Sequence, residues 1–173
     1  MLFIMFCEFY YLLIWAVIGY ALARDTLPSE FGLIPVIFVG ALVFFALFTL
    51  FFSGRIAPSV ELRERPVFRA FREASLKHYL ILIALRSPAL LSAVVVYALA
   101  LRLFGIEVGF LQMLGYLPVI FFGAATPGPM RSVAITLWVV LFPGNEGEMT
   151  AFGIVQHNFF IFFNAAKIGR AHV

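Results

Sequence analysis

The sequence predicts an all-α fold, a polytopic bundle of transmembrane helices that contains a re-entrant helical hairpin. Three observations carry this. Of the 173 residues, 64% are apolar and 12% are charged, whereas soluble domains run about 45–50% apolar and about 25% charged. Several apolar runs reach the length of about 20 residues that a helix needs to cross the hydrocarbon core. One run, 132–142, has only 11 residues and directly follows a stretch holding Pro127, Gly128, Pro129 and Arg131. At 1.5 Å per residue it covers roughly 16 Å, about half of the core.

Taken in order, residues 2–23 form the first span. The stretch has no basic leader and no small-residue cleavage site, so it reads as a spanning helix rather than a signal peptide. A short turn, "RDTLPSE", leads to a second span at 31–53. Residues 54–77 are the one extended polar segment, with Arg55, Arg63, Arg65, Arg69, Arg72 and Lys77 against Glu61, Glu64 and Glu73. The positive-inside rule makes this loop cytoplasmic. After Pro66 a short surface helix is expected, with Val67, Phe68 and Phe71 in the interface and Arg65, Arg69 and Arg72 turned to anionic headgroups.

A third span at 79–101 contains Arg86 and Pro88. Residues 110–125 then descend, the chain turns at "TPGP", and 132–142 climb back to the side they left. Backbone left unpaired at membrane depth is tolerated only inside protein or against a wet cavity. This is the reason to read 110–142 as a re-entrant hairpin, the alternative being ordinary kinked spans. A polar turn, 143–149, precedes a last apolar stretch at 150–166. Residues 1–166 are thus expected to form one transmembrane domain. The terminal "KIGRAHV", 167–173, is what a common sequencing adapter yields when read as codons, and it is assigned no function. Met1 is expected to be internal to a longer protein, of which this chain is a fragment.

Several residues can carry chemistry. Thr126 is a good N-cap and Pro127 suits the first helical position; Ser132 offers a second cap. A half-helix that begins inside the membrane directs its free N–H groups and positive dipole end into the bundle. Arg131 adds a permanent charge whose forked donors match phosphate or carboxylate. Thr126, Pro127, Gly128 and Arg131 therefore make a candidate site for an anionic lipid headgroup, against the plainer reading of a kink with Arg131 snorkelling to water. Arg86 shares a helix face with Leu90, Ala93 and Tyr97, and Glu8, at a similar depth in the first span, is its candidate counter-ion. In the last segment Gly153, His157 and Asn164 share a face, flanked by Gln156 and Asn158. Such a polar stripe must face the bundle interior or a cavity, as packing contacts or as part of a site.

The lone Cys7 excludes an internal disulfide and a cysteine-based zinc site. No second histidine stands at ligand spacing from His157, so no metal and no cofactor is expected. Neither a phosphate-cradling P-loop nor the nucleophile and zinc motifs of common hydrolases is present. No nucleic-acid partner is indicated.

Residues from about 76 to 166 resemble the C-terminal half of the lysylphosphatidylglycerol synthase membrane-domain family, also described as flippase-like proteins. The likeness rests on "ALRLFGIEV" before a helix, "LPVIFFGAATPG", a short apolar helix, a Gly-rich turn and a closing helix. The family's turn is typically a proline, several glycines and a glutamate. Pro127 and Gly128 match, whereas Pro129 and Arg131 stand where glycines are usual and Ala134 where the acid is expected, as in a divergent branch. The resemblance implies a multi-pass protein of the bacterial inner membrane that binds or translocates lipid. Arg86, His157 and Asn164 would then be further contributors to a cavity at the 126–131 turn. The alternatives are a membrane enzyme of envelope lipid or glycan biosynthesis, using His157, Glu107, Glu146 or Glu148, and a non-catalytic membrane scaffold.

Overall fold

The computed structural model describes residues 2–56, 61, 65–125 and 131–170, excepting the side chains of 125, 131, 132, 134, 160, 161 and 163–170. Among the described residues the chain is helical and has no strand. Its α-helices are α1 (Leu2–Ala23), α2 (Ile34–Phe52), α3 (Arg69–Glu73), α4 (Leu76–Arg102), α5 (Phe110–Ala125), α6 (Arg131–Leu141) and α7 (Glu146–Arg170). Short 3-10 turns at Ser29–Leu33 and Pro66–Phe68 lead into α2 and α3. Three segments are long and apolar enough to cross a membrane: Leu2–Ala23, Ser29–Phe52 and Leu76–Arg102. The protein is a membrane protein by this measure.

Local chemistry sets the helix ends. Pro35 lies in the first turn of α2, where its missing N–H is not needed. At the start of α4 the Ser75 backbone N–H donates to His78 Nδ1 at 3.0 Å, half of a capping box. Helices α2 and α4 each stop at a glycine in the left-handed region, Gly54 (φ 79°) and Gly105 (φ 76°). The following N–H groups of Arg55 and Ile106 bond back to the Leu50 and Leu101 carbonyls, the Schellman arrangement that satisfies orphan carbonyls.

Helix α5 is the centre of the bundle. Its residues Met113–Pro118 are buried on every side, while Phe110 and Leu111 at its start and Phe122 near its end stay exposed. Helix α2 is the opposite case, with only Ile34 and Phe52 buried and most of its surface left for lipid. Helix α1 runs antiparallel to α5: Gly19 meets Gly115 at one end, and the Phe9 and Phe122 rings meet at 5.4 Å towards the other. A Cβ added at Gly19 would lie 2.5 Å from the Leu114 carbonyl oxygen and 2.7 Å from Gly115 Cα. Only a hydrogen at this position lets the two backbones approach so closely, the usual role of small residues between membrane helices.

Helices α1 and α4 run parallel, with Phe3 against Tyr79 at 5.4 Å and the Trp15 indole N–H donating to Ser87 Oγ at 3.0 Å. The hairpin expected over 110–142 is present as α5 and α6 packed antiparallel. Tyr116 and Phe142 rings meet at 4.9 Å, while Gly123 abuts Val133 and Leu137. Helix α7 then packs antiparallel on α6, with Ile135 against Gly153 and Trp138 against Phe152 at 5.0 Å. The helix begins at Glu146, ahead of the apolar stretch that the sequence marks, because Thr150 Oγ1 and the Met149 N–H bond back to the Glu146 and Asn145 carbonyls.

The basic end of the bundle holds an aromatic cluster of Phe3, Phe6, Phe48, Phe52, Phe71 and Tyr79. Here the structure corrects the expectation for α3: Phe71 is buried in that cluster rather than placed in a lipid interface. Val67 is exposed, and Arg69 pairs with Glu73 at 2.7 Å. The remaining expectations for Arg63 and Glu64 fall outside the described residues.

The Gly19 contact yields a test. Gly19→Leu should destabilise the detergent-purified protein by about 3 kcal/mol, the upper range for overpacking, as followed by thermal unfolding. Gly40→Leu should be tolerated, since nothing lies within 4 Å of a Cβ built there. Equal stability of the two variants would refute the close α1–α5 crossing.

Candidate functional site

The polar groups of the spanning helices gather at two levels. The first is an ion pair between Arg86 of α4 and Glu8 of α1. Glu8 lies roughly 9 Å along α1 from Leu2 and Arg86 roughly 15 Å along α4 from Leu76, so both sit within the apolar part of their helices. The two side chains keep 34% and 39% of their surface accessible. They open onto a groove of about 270 Å³ whose other walls are Tyr11, Leu12, Ala89, Leu90 and Phe121. Tyr11 donates its hydroxyl to the Arg86 carbonyl at 2.9 Å, tying α1 to the backbone beside the charge. One residue on, Ser87 accepts from Trp15 and donates to the Ile83 carbonyl at 2.7 Å. Ser87 thus satisfies itself within its helix just before Pro88, which has no N–H to give.

Beyond Leu12, on the α2 side, lies a wholly apolar cavity of about 140 Å³, lined by residues that include Phe9, Ile34, Ile37, Pro118 and Phe122. The same turn of α1 therefore presents charge to one side and hydrocarbon to the other.

The second level is a network joining α4, α6 and α7. Trp138 is fully buried, and its indole N–H donates to Gln156 Oε1 at 2.9 Å. Gln156 Nε2 donates in turn to the Tyr97 hydroxyl at 2.7 Å. An indole N–H can only donate, so it fixes which end of the Gln156 amide faces it. The Tyr97 and Trp138 rings stack at 5.6 Å, and Phe152 meets Trp138 edge-on. This combination of hydrogen bonds and ring contacts holds the short α6 between its neighbours.

Of the residues expected at the site, Thr126, Pro127 and Gly128 lie outside the described residues. Arg131 is the first residue of α6, and its side chain is outside them too. Helix α6 begins close to the depth of the ion pair. Val133, two residues into the helix, is level with Gly123, and the adjacent Phe122 is level with Phe9. Arg86 is paired with Glu8, the counter-ion the sequence suggests, and is not a free cation. His157 is half-buried beside Gln156, and Asn164 lies on α7 with its side chain outside the described residues. Asn158 is exposed and bonds the Ile154 carbonyl of its own helix at 3.0 Å.

The sequence singles out His157, whereas the structure gives the bridging role to Gln156. A signal was available: Trp138 is a buried donor on a helix with little else to bond, and Gln156 is an amide set in an apolar helix. At the polar turn, the Gly144 N–H donates to Glu146 Oε1 at 2.9 Å and holds that carboxyl below its usual range. Such a group is poorly suited to act as a general base near neutral pH. Among the described residues no three His, Cys, Asp or Glu side chains converge on a common point that could hold a metal.

Comparison of the chain with family models, with curated proteins and with solved structures finds no match.

Gln156→Leu should lower the unfolding free energy by about 1–2 kcal/mol, because the Trp138 N–H is left buried without an acceptor. Asn158→Leu should change it little. If guanidine or thermal unfolding ranks the two the other way, the network is not what anchors α6.

Proposed function

We propose that this protein binds or translocates membrane lipid in the manner of flippase-like proteins of the bacterial inner membrane, with the basic 54–77 loop cytoplasmic. An anionic headgroup would enter at the 126–131 turn. One observation supports this most: α6 is too short to cross, and it begins inside the bundle near the depth of the Glu8–Arg86 pair. A helix N-terminus there offers unpaired N–H groups and a positive dipole end, which favour a phosphate. The flanking apolar cavity beside Leu12 suits part of an acyl chain. The resemblance of residues 76–166 to the lysylphosphatidylglycerol synthase membrane-domain family points the same way.

In this reading Arg131 supplies the charge for the headgroup, since Arg86 is engaged by Glu8. His157, the residue next to the Gln156 bridge, and Asn164, about two turns further along α7, are secondary contributors. Purified protein reconstituted in vesicles should bind or scramble labelled phosphatidylglycerol, and Arg131→Ala should lower that activity about tenfold through loss of one charge-assisted contact. Wild-type activity in Arg131→Ala, with folding intact, would exclude the 126–131 turn as the headgroup site.

A further inference from the structure

We infer that the Glu8–Arg86 groove is a second headgroup site, selective for a zwitterionic phospholipid whose phosphate meets Arg86 and whose ammonium meets Glu8. The inference rests on the lipid-binding reading above and names a substrate class for it. Its starting point is the state of the pair. The two charges satisfy each other within the apolar part of the bundle, yet each leaves about a third of its side chain, 39% for Arg86 and 34% for Glu8, open to the same groove. The walls opposite the charges are Leu12, Ala89, Leu90 and Phe121, so the groove is charged at one point and apolar elsewhere. Tyr11 and the Trp15–Ser87 contact hold the α1 and α4 backbones in register around it, which keeps the pair in place before any ligand arrives.

Charge bookkeeping decides which ligand fits. An anion alone would have to draw Arg86 from Glu8 and leave a carboxylate unpaired in an apolar setting. A cation alone would orphan the guanidinium. Removing one partner of such a pair is strongly unfavourable because the other charge is left uncompensated. A ligand that carries both charges a short distance apart can insert between the two side chains and leave neither alone. Phosphoethanolamine, with two carbons between its phosphate and its ammonium, has this form. The groove, with a volume of about 270 Å³, has room for a headgroup, and the acyl chains would lie along the lipid-facing surface outside.

The test measures binding of short-chain phosphatidylethanolamine and phosphatidylglycerol to the full chain in detergent, by titration calorimetry. Wild type should prefer phosphatidylethanolamine by about tenfold, the worth of one additional charge-assisted contact. In Glu8→Gln the preference should reverse, since the ammonium loses its partner and Arg86 is freed for an anion. Because a single change can impair folding, the double variant Glu8→Gln/Arg86→Met provides the second arm. It leaves no orphan charge and should abolish the preference for phosphatidylethanolamine. Retention of the wild-type preference in the double variant would overturn the inference, as would equal wild-type affinities. In either event continued phosphatidylglycerol binding would leave the lipid-binding reading standing. Failure of wild type to bind either lipid would overturn that reading and the inference with it.

Discussion

Hydrocarbon cannot solvate a peptide group, so every backbone N–H and C=O at membrane depth must find a partner within the protein. The rest of the architecture follows from how this chain meets that requirement. Helices α1, α2 and α4 meet it by length, each long enough to carry its unpaired ends to the membrane surfaces. Helix α6, with 11 residues, cannot. Its first turn must be sheltered by neighbours, and the bundle is arranged around providing them. Helix α5, buried on every side over Met113–Pro118, serves as one wall, and α7 forms the other. The Tyr97–Gln156–Trp138 network ties α6 and α7 to α4.

This arrangement explains the uneven use of small and polar residues. Gly19 allows α1 to approach α5 at backbone distance, while Gly123 and Gly153 make room for the α6 side chains of Leu137 and Ile135 against α5 and α7. Among the described residues, Glu8 and Arg86 are paired, and Tyr11, Ser87 and Gln156 are bonded to a backbone carbonyl or a ring donor. The Glu8–Arg86 pair differs from the others in carrying full charges while opening onto a groove. Full enclosure would cost the pair its remaining solvation, whereas opening on a groove leaves it able to exchange its partner for a ligand.

Much of the fold was legible because membrane spans are written in length and hydropathy. The expected boundaries of α5 coincide with those observed, and the short climbing helix is displaced by a single residue. Glu8 and Arg86 were matched by depth alone, which works when charges are rare. Position around a helix axis is harder to read, since it depends on where the partner helices sit. That is why the sequence points to the stripe through His157, while the bridging residue is its neighbour, Gln156. Phe71 departs from the interfacial position its sequence suggests for a related reason: amphipathic helices at an interface and helices packed on an aromatic cluster share one pattern of apolar residues. Nothing in the sequence of α3 distinguishes lipid from Phe3, Phe6 and Phe48 as the surface that covers it.

The central claim is that α5 and α6 form a hairpin returning to the face it left. It is tested most directly by labelling single cysteines with a membrane-impermeant thiol reagent in oriented vesicles, using a Cys7→Ala background. Cysteines at Gly109 and Asn145 flank the hairpin, and a cysteine at Ser75 marks the opposite, basic face. The account predicts that the Gly109 and Asn145 sites react from one side and the Ser75 site from the other. Labelling of the Asn145 site from the same side as Ser75 would show that the chain crosses the membrane between α5 and α7, and would contradict it.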